Sequence, residues 1–148
     1  MPMTMDEVAE AMRDIDFCTL ATVTEGGAIA ARPMSNNREV AFDGDVWFFS
    51  SEDTRMASDI AANPQVGVTY QGSAGIKGML GAPGAFYHVE GRAELVSDKV
   101  QFAEHWHKSL ERWYEQGIDT PGLLLIHVRA TRIHYWDGED EGEVPFRV

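Results

Sequence analysis

The chain has 148 residues, 44% of them apolar and 24% charged, with a formal net charge of −12 and a single cysteine. That length suits one domain with a real core; the balance excludes a disordered chain, and a lone cysteine excludes an intrachain disulfide or a cysteine-based metal site. The acidic excess opposes nucleic acid and anionic membranes alike, so an anionic ligand must find a local positive site made from a few arginines or backbone N–H groups.

The N-terminus, MPMTMDEVAEAMRDID, is acidic and amphipathic and lacks a basic region followed by an apolar one, so a cytoplasmic protein is expected. No window holds the ~18 uninterrupted apolar residues of a membrane span. Val8, Ala9, Met12 and Ile15 recur at helical spacing and predict a leading helix within residues 1–15. FCTLATV and AIAARPMS flank TEGG, whose glycines supply the positive φ of a tight hairpin. Cys18, inside the first of these strands, is expected to be a buried, inert thiol. Asp43-Gly44 predicts a second turn, between REVAF and DVWFFS.

The stretch VWFFSSEDTRMASDIAANPQVGV then changes period. Met56, Ala57, Ile60 and Ala61 form a helical stripe that starts at about Asp53 or Thr54 and must stop near Asn63-Pro64. QVGVTYQ follows as a strand, and residues 72–84, with glycine at every third position, read as a loop. FYHVEGRAELV is a strand with a bulge or close approach at Gly91. One long helix is expected over KVQFAEHWHKSLERWYEQ, with Ala103, Trp106, Leu110, Trp113 and Tyr114 on one face. LLLIHVRATRIHYWD is a long strand whose apolar parity shifts around Ala130 to Arg132, which predicts a bulge. Residues 137–148, DGEDEGEVPFRV, read as a solvated acidic tail. Strands in hairpin order without strand-helix alternation predict a mainly β fold, an antiparallel barrel with peripheral helices.

Five histidines offer no metal-ligand spacing, and His105 and His107, two apart on a helix, would point to different faces. No nucleophile elbow, Rossmann fingerprint or phosphate-binding P-loop is present. The junction at residues 50–55 is the informative one. Ser50, Ser51 and Thr54 beside a helix N-terminus can offer hydroxyls and unpaired N–H groups to phosphate, with Arg55 and Arg32 as guanidinium partners. An ordinary capped helix start explains the same residues, and Glu52 and Asp53 would repel an anion unless they face away.

FCTLATVTEGGAIAARPMS, the junction, HVEGRAELVSD and the late Trp106, Trp113-Tyr114, Gly117-x-Asp119-x-Pro121 and Tyr135-Trp136-Asp137 together resemble the pyridoxamine 5′-phosphate oxidase-like superfamily, in its general stress protein branch. The resemblance covers nearly all of residues 5–138. It implies a six-stranded antiparallel split barrel, a homodimer, and FMN at the subunit interface. It places Arg32, Met34 and Ser35 along the flavin ring, Phe49, Ser50, Thr54 and Arg55 at the phosphate, and Trp136 beside the flavin. Two departures stand out. Met56 replaces a lysine the family commonly places after the residue matching Arg55, which implies weak FMN binding unless Lys77 substitutes. The substrate-holding Arg-x-His segment of the true oxidases is replaced by acidic residues, which opposes a phosphorylated vitamin as substrate. Two functions stay open: a flavin-dependent oxidoreductase acting on an unidentified small molecule or electron donor, and a non-catalytic flavin-binding, storage or sensing protein. Related split barrels use the deazaflavin coenzyme and haem, so whether this chain binds FMN, FAD, deazaflavin or another ligand is open as well.

Overall fold

A computed structural model of the chain describes residues 3–36, 42–72, 84–138 and 140–145. Nearly all of the expected strand at 38–42, and Lys77 with most of the glycine-rich stretch, lie outside the described residues.

The first helix, α1 (Met5–Arg13), starts with a capping box. The Glu7 N–H donates to the Thr4 hydroxyl and the Thr4 N–H donates to the Glu7 carboxylate, which satisfies two otherwise orphaned donors. Its apolar stripe, Val8, Ala9 and Met12, is buried. β1 (Phe17–Val23) and β2 (Ile29–Ser35) form the expected hairpin, with Gly27 at φ +83° in its turn. After β3 (Asp45–Ser51) comes α2 (Arg55–Ala62), within the predicted bounds; β4 (Gln65–Gln71) and β5 (Phe86–Val96) follow.

The strands form one antiparallel sheet in the order β2-β1-β4-β5-β6-β3, with β6 spanning Leu123–Asp137. β2 and β3 are the two ends of this order and do not pair, so the barrel is split between them. Alternate residues of β1, β4, β5 and β6 face a core that includes Leu20, Val68, Tyr70, Val89 and Ile133, closed by α1 and α2. A second cluster, Phe49, Phe102, Leu110, Leu123 and Leu125, lies on the other face of β3 and β6. The start of β6 is therefore buried on both faces, whereas its later half alternates.

The bulge falls where both strands signalled it. Glu90 pairs with Arg132 and Gly91 with Ala130, so Thr131 is left over, and its hydroxyl donates to the Glu90 carbonyl at 3.1 Å.

Two expectations are corrected. The single long helix is in fact α3 (Lys99–His105), an extended break at Trp106 and His107, and a 3₁₀ turn at Lys108–Arg112. Trp106 has ψ 137°, and the break lets its ring pack edge-on against Phe49 (centroids 5.1 Å apart) and Tyr114 (6.1 Å). Ala103 is exposed, and Trp113 is 62% exposed. Packing of one aromatic outweighs helical continuity here. The acidic tail, for its part, forms β7 (Asp140–Pro145), which turns back at Gly138 (φ +62°) and pairs with β6, making seven strands. The acids stay exposed, as the sequence reading expects, and they lie opposite Arg132 and His134 across the ladder. His134 lies 3.0 Å from Glu141 and 3.6 Å from Glu143, and Arg132 lies 3.8 Å from Glu143.

Cys18 is 2% exposed, and burial pushes its thiol up to about 12. A thiol whose folded pKa lies above its unfolded value stabilises the fold below about pH 9, and that contribution is lost as pH rises through about 12. We expect Cys18 to react with a thiol reagent at pH 8 only at the rate of unfolding, and Cys18→Ala to flatten the alkaline loss of thermal stability. Rapid labelling of the folded protein would contradict the burial.

Candidate functional site

The strand-to-helix junction is built by its own side chains. Thr54 is the N-cap of α2: its hydroxyl accepts from the Ala57 N–H at 3.2 Å and donates to the Ser51 carbonyl at 2.9 Å. The N–H groups of Arg55 and Met56 then have no hydrogen bond within the described residues, as expected in a first helical turn. Ser50, whose side chain lies on the barrel-core face with Phe48, is almost fully buried, and its hydroxyl likewise has no bond among the described residues.

Arg32 and Arg55 converge. Arg32 sits on the inward face of β2, opposite Leu20, and its Nη1 donates to the Thr22 hydroxyl (2.8 Å) and to the carbonyls of Leu20 (3.2 Å) and Ala30 (3.3 Å). Its Nε and Nη2 remain without partners among the described residues. Arg55 is 72% exposed in its side chain and lies 3.8 Å through Nε from Asp59 Oδ2. Thr22 donates to that same oxygen at 3.5 Å, so the chain Arg32, Thr22, Asp59, Arg55 is continuous. Burial pushes the Arg32 guanidinium down from its ordinary value; Asp59 pulls it back up, and Arg55 pushes it down again. It stays charged, as guanidinium does in proteins.

Asp59, 7% exposed, is the residue that the reading of the sequence missed. A signal existed: it stands four residues after Arg55 and inside the apolar arc of Met56 and Ile60, where a carboxylate needs a partner. Met56 itself is buried in the main core and offers no donor.

Met34, Ser35 and Phe49 share a cavity of about 440 Å³ in the split, with Pro33 on β2, Trp47 and Phe48 on β3, and Leu110, Trp113 and Tyr114 from the 3₁₀ region. Met34 is two residues from Arg32 on the same face of β2, and Phe49 adjoins Ser50 on β3. Along β2 the slot thus begins two residues, about 7 Å of strand, from Arg32, whereas Phe49 and Ser50 point to opposite faces of β3. Trp136 is elsewhere: its neighbour Tyr135 lies in a cross-strand row with Tyr87, Tyr70, Cys18 and Met34, four strands round the sheet from β2. It stacks on His134 (4.0 Å, 12°) and donates to Glu141 at 3.1 Å.

The histidines also need correction. His127 is buried and paired with Asp45 at 2.8 Å, and His105 and His107, expected on different helix faces, border one cavity because the helix ends between them. No three His, Cys, Asp or Glu side chains among the described residues converge as a metal-binding group. No helix among them is long and apolar enough to cross a membrane.

The model of one family, described as pyridoxamine 5′-phosphate oxidase like, matches residues 3–147. The chain belongs to that family. Solved structures of similar fold agree with its split barrel. A protein of Clostridium acetobutylicum related to general stress protein 26 superposes with a TM-score of 0.76 at 19% identity, over 94% of this chain and 92% of the other. A haem-binding protein of Mycobacterium smegmatis gives 0.75 at 18%, over 98% of this chain and 59% of its own. An FAD-binding protein of Mesorhizobium loti gives 0.67 at 18%, over 90% and 94%. A search of curated proteins returns no match.

Proposed function

We propose that this chain binds FMN in the split of its barrel and works as a flavin-dependent oxidoreductase of the general stress type on a small molecule. The observation that carries the reading is the convergence of Arg32 and Arg55, with donors to spare, beside an apolar cavity in a chain of net charge −12. Arg32 Nε and Nη2, the Arg55 guanidinium, the Ser50 hydroxyl and the first N–H groups of α2 would hold the phosphate, and Thr54 holds that turn in place. Met34, Ser35 and Phe49 would line the ring and exclude water from it. Bound FMN supplies hydride or electron exchange; the protein supplies position and electrostatics. Asp59 cancels part of the positive charge and Met56 adds none, so affinity is modest. Trp136 reaches a ring only across a homodimer, which the family resemblance supports.

The test is a visible spectrum of the purified protein during titration with FMN. A saturable shift of the flavin bands is expected, caused by the apolar surroundings of the ring. No binding at high micromolar FMN would end the proposal.

One observation favours a storage or sensing protein instead. The substrate-holding Arg-x-His segment of the true oxidases is replaced here by acidic residues of β7, which offer no hold for a phosphorylated substrate. Reduction of bound FMN by NADH or NADPH, with turnover to an acceptor, separates the two.

A further inference from the structure

We propose that a row of oxidisable side chains, Met34, Cys18, Tyr70, Tyr87 and Tyr135, is a one-electron relay that carries an oxidising equivalent from the split of the barrel to the edge where β6 turns into β7. The register sets them directly opposite one another on β2, β1, β4, β5 and β6. Residues opposed in this way lie on one face of a sheet with Cβ atoms about 5 Å apart, so each side chain adjoins the next. The row two residues along is the contrast: β1, β4, β5 and β6 there carry Leu20, Val68, Val89 and Ile133, none of which gives up an electron readily. Aliphatic side chains bury as well as phenols and leave no hydroxyl to satisfy, so packing alone does not call for three tyrosines in the neighbouring row.

The row is open to reaction partners at both ends. Met34 lines the cavity in the split, and Cys18 joins it to Tyr70: the thiol donates to the Met34 carbonyl at 3.7 Å, and the Cys18 and Tyr70 side chains are hydrogen-bonded to each other. At the far end Tyr87, buried like its neighbours in the row, is hydrogen-bonded to the exposed Asp137. A phenol that loses an electron must also lose its proton, and inside a core that requires a base at the hydroxyl. Burial and the Asp137 carboxylate push the Tyr87 phenol up to about 12, so it keeps its proton until the electron goes. The step then balances. An organic peroxyl radical reaching Met34 takes one electron and becomes a hydroperoxide anion, which water protonates, while Tyr87 becomes a neutral tyrosyl radical and its proton passes to Asp137. A thiolate at the β6–β7 edge gives the electron back, becoming a thiyl radical, and Asp137 returns the proton. The equivalent thereby leaves Met34 and Cys18 instead of converting them to sulfoxide and sulfenic acid. The relay requires no bound flavin.

A ruthenium tris-bipyridine complex attached to the new thiol of a Trp113→Cys, Tyr114→Phe protein tests it, because Trp113 is exposed where it lines the cavity and Cys18 is buried. Flash oxidation of the metal should produce a tyrosyl radical, followed by transient absorption and electron paramagnetic resonance, at a rate independent of protein concentration. Adding Tyr70→Phe puts an unoxidisable ring in mid-row and should abolish that fast phase, and adding Tyr87→Phe should abolish the radical's resonance signature. Adding Asp137→Asn removes the proton acceptor and should slow radical formation about a hundredfold. Asp137 is exposed, so this last change keeps the fold and its result does not depend on how the core tolerates the others. Radical formation undiminished by Tyr70→Phe or by Asp137→Asn, or the lack of any tyrosyl radical in the labelled parent, would overturn the assignment.

Discussion

Arg32→Ala should loosen FMN by roughly 10- to 150-fold, the value of a charge-assisted hydrogen bond worth about 1.5–3 kcal/mol, while riboflavin, which has no phosphate, binds as before. The reason lies in the split use of the guanidinium: Nη1 is committed to Thr22 and two carbonyls, and Nε and Nη2 are left to a ligand. Arg32→Lys keeps the charge but not the planar fork, and should fall between. Asp59→Asn should act in the opposite direction. Its carboxylate lies 3.8 Å from Arg55 Nε and competes with phosphate for the same two cations. Removing the charge should tighten FMN about tenfold, as expected for one unit charge a few ångströms from a dianion in partly screened surroundings. The flavin-free Asp59→Asn protein should be less stable, because two guanidiniums then face each other, and phosphate should restore the loss. Fluorescence titrations of both flavins against the four proteins check this. If FMN and riboflavin bind alike to the unaltered chain, the cluster does not hold the phosphate.

Gly91→Ala should be strongly destabilising for a change of one methyl group. A Cβ at this position would come 2.6 Å from the Arg129 carbonyl oxygen and 3.0 Å from Val128 Cγ1. The first of these is backbone in a paired strand, so the bulge would have to reopen. Over-packing of this kind costs about 3 kcal/mol, which for a chain of this size lowers Tm by roughly 6–12 °C. Gly26→Ala is the matched control: nothing lies within 4 Å of its Cβ, and its effect should stay within about 0.5 kcal/mol. Thermal unfolding of the two variants checks this, and a neutral Gly91→Ala would mean that β5 and β6 do not pair as described.

The candidate site was legible in the sequence to unequal degrees. The junction of Ser50, Thr54 and Arg55 could be read because an N-cap and a helix stripe leave a local signature, and the structure puts the helix start where that signature lies. That Arg32 could reach the place of Arg55 was an expectation from guanidinium chemistry at the junction, whereas the connecting residues, Thr22 and Asp59, come from β1 and α2 with no local mark joining them. Trp136 carried a motif, yet in one chain it belongs to the β6–β7 hairpin.

What the sequence determined by itself are features whose cause lies within a few residues: the glycine turn at Gly27, the limits of α2, and the bulge, where a parity shift near Ala130 met a glycine at 91. Tertiary structure decided the rest. Trp106 left its helix because Phe49 and Tyr114 offered packing, the acidic end became a strand because Arg132 and His134 faced it, and Trp47 became a clamped wall because two imidazoles arrive from β6 and α3. Periodicity and turn chemistry act along the chain, whereas the burial of an aromatic ring or a charge depends on which distant side chain comes to lie against it.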